Sequence, residues 1–167
     1  ILDAQISKWD DSNPGNRHTY APSYLYQHVR QIDDETCEAG IELYEALEFL
    51  KHRNLKAFDD FQEFCPRNIP TELLPKNDGP ALDYRKLYDR THSRTHKVNS
   101  IKKSISQNLP VVVGMHCPPS FFSANMFWQP TEKPDPSYSG HAICVVGYDD
   151  DKYGGSFEIL NSWGRDW

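Results

Sequence analysis

The sequence predicts an α+β fold, with helices in its first half and antiparallel strands in its second half. Residues 41–54 carry apolar side chains at the spacing of an amphipathic helix. Residues 111–115 read Val-Val-Val-Gly-Met, which is typical of a buried strand. Apolar stretches within residues 139–151 and 157–167 flank a turn rich in Asp and Gly, and this pattern predicts a β-hairpin.

Three helices are predicted in the first half. Leu2 and Ile6 stand at the i, i+4 spacing that favours a helix at the start of the chain. Pro22 occupies the first-turn position that proline favours, so a second helix begins there. The helix of residues 41–54 has Glu residues early and basic residues late, as the helix dipole favours. Residues 57–79 are predicted to be irregular because they contain several prolines and an Asn-Asp-Gly turn signal.

Two further helices are predicted before the strand at residues 111–115. Pro80 opens a short helix whose apolar side chains are Leu82, Tyr84, Leu87 and Tyr88. A longer helix ends at Pro110, and its apolar face comprises Val98, Ile101, Ile105 and Leu109. After the strand comes a long connection, residues 117–139, that is rich in proline and aromatic residues.

The hairpin brings two polar side chains together. If it folds about Asp151, residues equally distant from Asp151 face each other, and His141 and Asn161 are such a pair. Opposed residues have Cβ atoms about 5 Å apart on the same face, so the imidazole and the carboxamide can form a hydrogen bond. Such a pair is either half of a nucleophilic site or a buried polar pair that satisfies itself within a sheet.

Composition excludes several classes of protein. The 167 residues carry a net charge of −6 without a basic stripe, so nucleic acid is not an expected partner. No apolar run approaches the length of a transmembrane helix. The length suits one domain-sized unit. Four cysteines allow three full pairings, and the sequence does not choose among them: Cys37, Cys65, Cys117 and Cys144.

Two patterns were considered as metal sites. His92 and His96 stand at i, i+4, where two imidazoles can share a metal, but no third ligand is near in sequence and a solvated polar stretch is favoured. Residues 149–151 are three aspartates without the spacing of a calcium-binding loop, so a charged hairpin turn is favoured. No metal and no cofactor are expected.

The C-terminal segment resembles the histidine–asparagine region of papain-like cysteine peptidases. The resemblance rests on His141 followed by an apolar strand, on Val-Gly-Tyr-Asp at residues 146–149, on Asn-Ser-Trp-Gly at residues 161–164 and on Trp167. The segment from Pro22 also resembles bacterial members of the family. The resemblance implies a papain-like fold, with a helical half at about residues 1–79, an antiparallel β-barrel half at about residues 80–167 and a cleft between them.

The resemblance also implies roles for individual residues. His141 is expected to be the general base, Asn161 its orienting partner, and Trp163 the side chain that covers their hydrogen bond and excludes water. Gly140 is expected to leave room for the substrate backbone. Residues 37–40 resemble the family's Cys-x-Gly-Gly turn, which implies that Gly40 offers its backbone to the substrate.

The long connection supplies a further hypothesis about the substrate groove. Long loops beside a catalytic strand often form binding walls. Residues 121–128, including Phe122 and Trp128, are therefore expected to line part of the groove and to favour apolar substrate side chains. The alternative is a loop that packs on its own aromatic residues.

The nucleophile is expected outside the given sequence. The family order is cysteine, histidine, asparagine, and the chain is expected to begin inside the cysteine-bearing helix, with the thiol about ten residues upstream of Ile1. The last strands of the family are expected to lie beyond Trp167. Within the chain Cys37 is the alternative nucleophile, because it precedes a helix N-terminus. The family resemblance instead implies a structural Cys37.

These expectations describe a peptidase. The predicted reaction is hydrolysis of peptide or protein substrates through a thioester acyl-enzyme, and residues 1–167 alone are expected to be inactive. A catalytically dead relative that binds peptides is the first alternative, and a structural domain in a larger protein is the second. Substrate preference, oligomeric state and localisation are left open.

Overall fold

The computed structural model describes residues 20–31, 33–61, 65, 71 and 83–163. The predicted helix at Leu2 and Ile6 lies outside these ranges, as do Gly164 and Trp167. The chain forms two compact units, Ile1–Arg85 and Lys86–Trp167. No helix in the described ranges is long and apolar enough to cross a membrane.

Helices and turns make up the described part of the first unit. Helix α1 spans Pro22–Val29 and has proline in its first turn, as predicted. Helix α2 spans Leu43–His52, within the predicted residues 41–54. A short 3₁₀ turn, Phe58–Asp60, follows. The core of this unit is a cluster of Ala21, Tyr24 and Phe61, with Phe49 and Leu55 packed against it.

A disulfide bond between Cys37 and Cys65 closes a loop in the first unit. Asp34 lies just before this loop, and its carboxylate accepts hydrogen bonds from the Tyr26 hydroxyl at 2.5 Å and from the Glu38 backbone N–H at 3.1 Å. These bonds hold the pKa of Asp34 below its ordinary value, the Tyr26 hydroxyl contributing most. Cys37 is therefore structural, as the family resemblance implied.

The short helix predicted after Pro80 is not present in its described part, residues 83–88. The Tyr84 ring packs edge-on against Tyr44 of the first unit with centroids 6.4 Å apart. Leu87 and Tyr88 instead pack against the apolar cluster of the second unit. The spacing of these residues resembles a helix, but Tyr84 contacts an exposed ring of the first unit, whereas Leu87 and Tyr88 contact the apolar cluster of the second. An extended chain allows both sets of contacts.

The second unit combines a helix with an antiparallel sheet. Helix α3 spans Arg94–Ser106, and the Ser93 hydroxyl caps it by accepting the His96 backbone N–H at 3.2 Å. Strand β1 spans Val111–His116, strand β2 Gly140–Asp149 and strand β3 Ser156–Leu160. The strand order is β1-β2-β3, and among the described residues the sheet has three strands and does not close into a barrel.

One face of the sheet packs on α3. Val111 and Val145 are buried against Ile101 of the helix. Val145 is opposite Val111 on β1 and opposite Ile159 on β3. A fully buried aliphatic side chain of this kind contributes about 1.5–3 kcal/mol. Because side chains two residues apart share a face, the same face carries His141 toward the beginning of β2.

Candidate active site

The register of the β2–β3 hairpin differs from the predicted one. Cys144 pairs with Leu160 and Val145 with Ile159, so the register places Asn161 opposite Ile143 and not opposite His141. The predicted register is therefore wrong by two residues. The turn is centred beyond Asp151, because residues 150–155 form it and include the 3₁₀ turn Lys152–Gly154. A bulge between Val145 and Gly147 shifts the pairing once more.

His141 and Asn161 nevertheless meet. The His141 Nε2 atom lies 2.9 Å from the Asn161 Oδ1 atom. A displacement of two residues keeps both side chains on one face, and diagonal neighbours in an antiparallel pair remain within reach of long side chains. An odd displacement would have put them on opposite faces of the sheet.

The hydrogen bonds around Asn161 fix the orientation of its carboxamide. The Ser162 backbone N–H donates to Asn161 Oδ1 over 2.9 Å, and a backbone N–H has no acceptor role. The atom facing His141 is therefore the oxygen, and His141 must donate to it from Nε2. In neutral imidazole the other nitrogen, Nδ1, is then the acceptor. The geometry selects Nδ1 as the atom that can take up a proton.

Trp163 covers the imidazole. Its ring centroid lies 4.5 Å from that of His141, and the two planes are tilted by 30°. Phe122 stacks on Trp163, with centroids 5.0 Å apart and planes only 8° from parallel. Apolar rings beside a hydrogen bond exclude water and lower the local dielectric, which strengthens the bond.

Phe121 belongs to the same cluster; it lies in the segment expected to line the groove, residues 121–128, but its contact with His141 was not predicted. It lies on a short helix, α4, Pro119–Phe122, within the long connection rich in proline and aromatic residues. Only 1% of its surface is exposed, and its ring contacts Trp128, Trp163 and His141, with centroid distances of 4.8, 5.5 and 6.1 Å. The Pro-Pro-Ser-Phe-Phe sequence, with proline at the helix start, was the available signal.

The predicted substrate-binding residues have different surroundings. Phe122 is 58% exposed, whereas Trp128 is half-buried and donates from Nε1 to the Ser120 hydroxyl over 3.0 Å. A Cβ atom added at Gly140 would meet nothing within 4 Å. In the first unit Gly40 has a left-handed backbone with φ of +79°, and its N–H donates to the Tyr26 hydroxyl over 2.9 Å.

The four cysteines are poor candidates for the nucleophile. Cys37 and Cys65 form the disulfide. Cys117 is 3% exposed, and burial raises the pKa of its thiol. Cys144 lies an odd number of residues from His141 on β2, so it points from the other face, and burial raises its pKa as well. A thiol with a raised pKa is a poor source of thiolate at neutral pH.

The two patterns considered as metal sites have ordinary contacts. The rings of His92 and His96 stack with centroids 4.2 Å apart, and His92 Nδ1 accepts the Asp89 backbone N–H over 2.8 Å. The Asp149 carboxylate accepts the backbone N–H groups of Lys152 and Asp151, and these bonds lower its pKa. No group of three or more potential metal ligands occurs in the part of the chain that the structure describes.

Comparison with known families identifies a match over most of the chain. A family model described as papain family cysteine protease covers residues 26–167, which is most of the chain. The match includes the hairpin with His141 and Asn161. The comparisons with curated proteins and with solved structures found no match.

Proposed function

Because the chain belongs to the papain family of cysteine proteases, we propose that it hydrolyses peptide bonds through a thioester acyl-enzyme. His141 is the proton-transfer residue and Asn161 its orienting partner. The observation that carries this proposal is the 2.9 Å contact between His141 Nε2 and Asn161 Oδ1, with the Trp163 ring beside it. The three strands of the second unit belong, in this proposal, to the antiparallel barrel of the family.

The attacking thiol is proposed to lie N-terminal to Ile1 in the intact protein. This placement is supported by the cysteines themselves. Two are joined in a disulfide, and the other two, the buried Cys117 and the partly buried Cys144, have raised pKa values. It also follows the family order of cysteine, histidine and asparagine. Residues 1–167 alone are then expected to lack peptidase activity.

The proton path follows from the orientation of the imidazole. His141 Nδ1 takes the proton of the thiol, which leaves a thiolate and an imidazolium. The thiolate attacks the peptide carbonyl carbon, and Nδ1 returns the proton to the leaving amine as the C–N bond breaks. In the second half-reaction Nδ1 takes a proton from water, whose oxygen attacks the thioester and releases the thiol. Throughout, the Nε2–H group stays bonded to Asn161 and prevents rotation of the ring.

The substrate is proposed to be a peptide or protein with apolar side chains near the site. Phe122 offers an exposed ring beside Trp163, and Trp128 supports the same aromatic cluster through Phe121. Gly140 leaves open space at the start of β2. Gly40 stays a candidate for binding the substrate backbone. The Tyr26 hydroxyl contacts both its N–H, at 2.9 Å, and its carbonyl oxygen, at 3.5 Å, so a substrate backbone would have to share or displace one of these contacts.

The proposal is tested by thiol labelling of the full-length protein. An irreversible thiol-directed reagent such as iodoacetamide is applied at pH 5.5, and the labelled residue is located by peptide mass spectrometry. We expect labelling of a cysteine upstream of Ile1, and we expect His141→Ala to slow it about 100-fold or more, because the thiolate loses its imidazolium partner.

His52→Ala is the matched control, since His52 is an exposed histidine at the end of α2. It should leave the labelling rate unchanged. Labelling that proceeds at the same rate in His141→Ala would reject the ion pair. A full-length protein with Ser, Gly or Asp in place of the upstream cysteine would establish the inactive, peptide-binding alternative instead.

A further inference from the structure

The Glu132 carboxylate accepts hydrogen bonds from four donors in the connection between β1 and β2. It accepts the Ser120 backbone N–H over 2.8 Å and the Ser120 hydroxyl over 2.7 Å. It also accepts the backbone N–H and the hydroxyl of Thr131, each over 3.2 Å. A carboxylate that accepts several hydrogen bonds holds its donors in one arrangement. Glu132 therefore ties residues 131–132 to the first turn of α4.

Ser120 extends this network to an aromatic side chain. Its hydroxyl donates to Glu132 and accepts from Trp128 Nε1 over 3.0 Å. The hydroxyl hydrogen therefore points at Glu132, and the oxygen lone pair faces the indole. The Trp128 ring in turn contacts the buried Phe121 ring edge-on, with centroids 4.8 Å apart. Helix α4 is thus held at its first turn by the bonds between Ser120 and Glu132, and at its side by the Trp128 ring.

Helix α4 carries the rings that cover the candidate active site. Phe121 and Phe122 both contact Trp163, with centroid distances of 5.5 and 5.0 Å. Trp163 in turn lies beside the imidazole of His141. These contacts join packed aromatic rings. A displacement of α4 would therefore also displace the Trp163 ring, which covers the His141–Asn161 hydrogen bond.

We propose that Glu132 is a positioning residue, which holds α4 so that Trp163 excludes water from the His141–Asn161 hydrogen bond. Glu132 touches neither the substrate nor the reacting atoms. It acts on catalysis through Ser120, α4 and Trp163. The catalytic consequence rests on the function proposed above, whereas the positioning itself is a property of the fold.

Glu132 is ionised over the whole pH range in which a peptidase works. The Ser120 hydroxyl, followed by the Ser120 backbone N–H, lowers the pKa of Glu132 to about 2. Glutamine has nearly the same shape, but its NH₂ group cannot accept and would face donors that already point at this position. Glu132→Gln therefore disrupts the hydrogen bonds that hold α4, with little change in side-chain volume.

The test measures the Nε2–H proton of His141 directly. The full-length protein is labelled with ¹⁵N-histidine, and exchange of this proton with water is followed by NMR, with the signal assigned by its loss in His141→Gln. Burial under Trp163 should make the exchange slow. We expect Glu132→Gln to accelerate it about tenfold, because α4 and its rings open more often. Ser120→Ala, which removes the link to Trp128, should act in the same direction.

Asp135→Asn is the matched control, because it removes a carboxylate from the same connection. Asp135 accepts the Ser137 backbone N–H and does not bond to α4. In Asp135→Asn, the His141 Nε2–H proton should exchange at the same rate as in the unaltered protein. Unchanged exchange in Glu132→Gln would overturn the positioning role, and if that variant does not fold, unchanged exchange in Ser120→Ala would do so.

Peptide hydrolysis is measured separately on the same proteins. If the unaltered protein hydrolyses peptides, Glu132→Gln should lower kcat about tenfold with little change in KM, because the substrate contacts remain. If it does not, the proposed function fails while the exchange rates still decide the role of Glu132.

Discussion

At the scale of single residues, Asn161 shows how one backbone group decides the chemistry of a neighbour. The Ser162 N–H and His141 Nε2 share the same carboxamide oxygen, and the Nδ2 atom is buried without a hydrogen-bond partner among the described residues. Turning the carboxamide over would set its NH₂ group against the Ser162 N–H. The cost of two facing donors keeps the oxygen toward His141.

His28 gives the first unit a stability that depends on pH. Its ring stacks on Phe49 and meets Tyr24 edge-on, and burial lowers its pKa below the ordinary value of 6.5. In the unfolded chain His28 binds a proton below pH 6.5, whereas in the folded state it stays neutral to a lower pH. The stability that buried, neutral His28 contributes is therefore complete above pH 6.5. It is lost as the pH falls toward the pKa of His28 in the folded state.

We predict that His28→Phe makes the melting temperature less sensitive to acid. The fall in melting temperature from pH 7.5 to pH 5.0 should be smaller than in the unaltered protein, because phenylalanine keeps the stacking and binds no proton. His52→Gln, at an exposed position, is the control and should keep the full pH dependence. An equal fall in His28→Phe and the unaltered protein would show that burial of His28 has no such effect.

At the scale of elements, two exposed phenylalanines in one connection allow a matched comparison. Phe122 stacks on Trp163 beside the candidate active site, and Phe127 stacks on Tyr153 at the tip of the hairpin, with centroids 4.2 Å apart. Both rings are partly exposed, at 58% and 42%. We predict that Phe122→Ala in the full-length peptidase lowers the preference for apolar over polar substrate side chains about tenfold, because an apolar contact of this size is removed.

Phe127→Ala should leave that preference unchanged, although it removes a similar exposed ring. The measurement is kcat/KM for paired peptides that differ in one side chain. If Phe122→Ala and the unaltered protein prefer apolar side chains to the same extent, Phe122 does not line the groove. Trp128→Ala is a poorer probe, since it also breaks the hydrogen bond to Ser120.

Two regular elements of the second unit could be predicted from sequence, whereas the helical spacing after Pro80 was misleading. The apolar spacing around Ile101 predicted helix α3, and the run of valines predicted strand β1; the structure confirms both. The register of β2 and β3 could not be predicted, because it depends on backbone angles at the turn. Tyr153 adopts a left-handed conformation with φ of 56°, which is uncommon for such a residue. Its ring stacks on Phe127, which is distant in sequence.

The contact between His141 and Asn161 could be predicted because it is local to one hairpin, and because an error of two residues does not change the face. Phe122 and Trp128 were expected near the site from the length and aromatic content of the connection, but helix α4 and the contacts of Phe121 could not be predicted. Helix α4 has only one turn, and Ser120 within it donates hydrogen bonds to Glu132, twelve residues away. Periodicity does not report contacts of this kind.

At the scale of the whole molecule, the disulfide acts on one of two units. It closes a loop with a sequence separation of 28 between Cys37 and Cys65, both within the first unit. A loop of this length stabilises by about 3–4 kcal/mol, mainly by restricting the unfolded chain. We predict that reduction speeds amide hydrogen exchange in α2 about 100-fold and leaves exchange in α3 nearly unchanged.

Hydrogen exchange with mass spectrometry, with and without reductant, measures both helices in one sample. The double variant Cys37→Ala, Cys65→Ala is the control for direct effects of the reductant and should match the reduced protein in α2. If both helices exchange faster by the same factor, the two units unfold as one and the disulfide stabilises the whole molecule.

The placement of His141 and Asn161 on one hairpin also limits how relatives of this chain can vary in length. A single residue inserted within either strand would turn Asn161 away from His141, whereas residues added between Asp149 and Ser156 would leave both arms as they are. Natural insertions between histidine and asparagine should therefore accumulate at the tip. That loop is also where a foreign epitope could be grafted without cost to proton transfer.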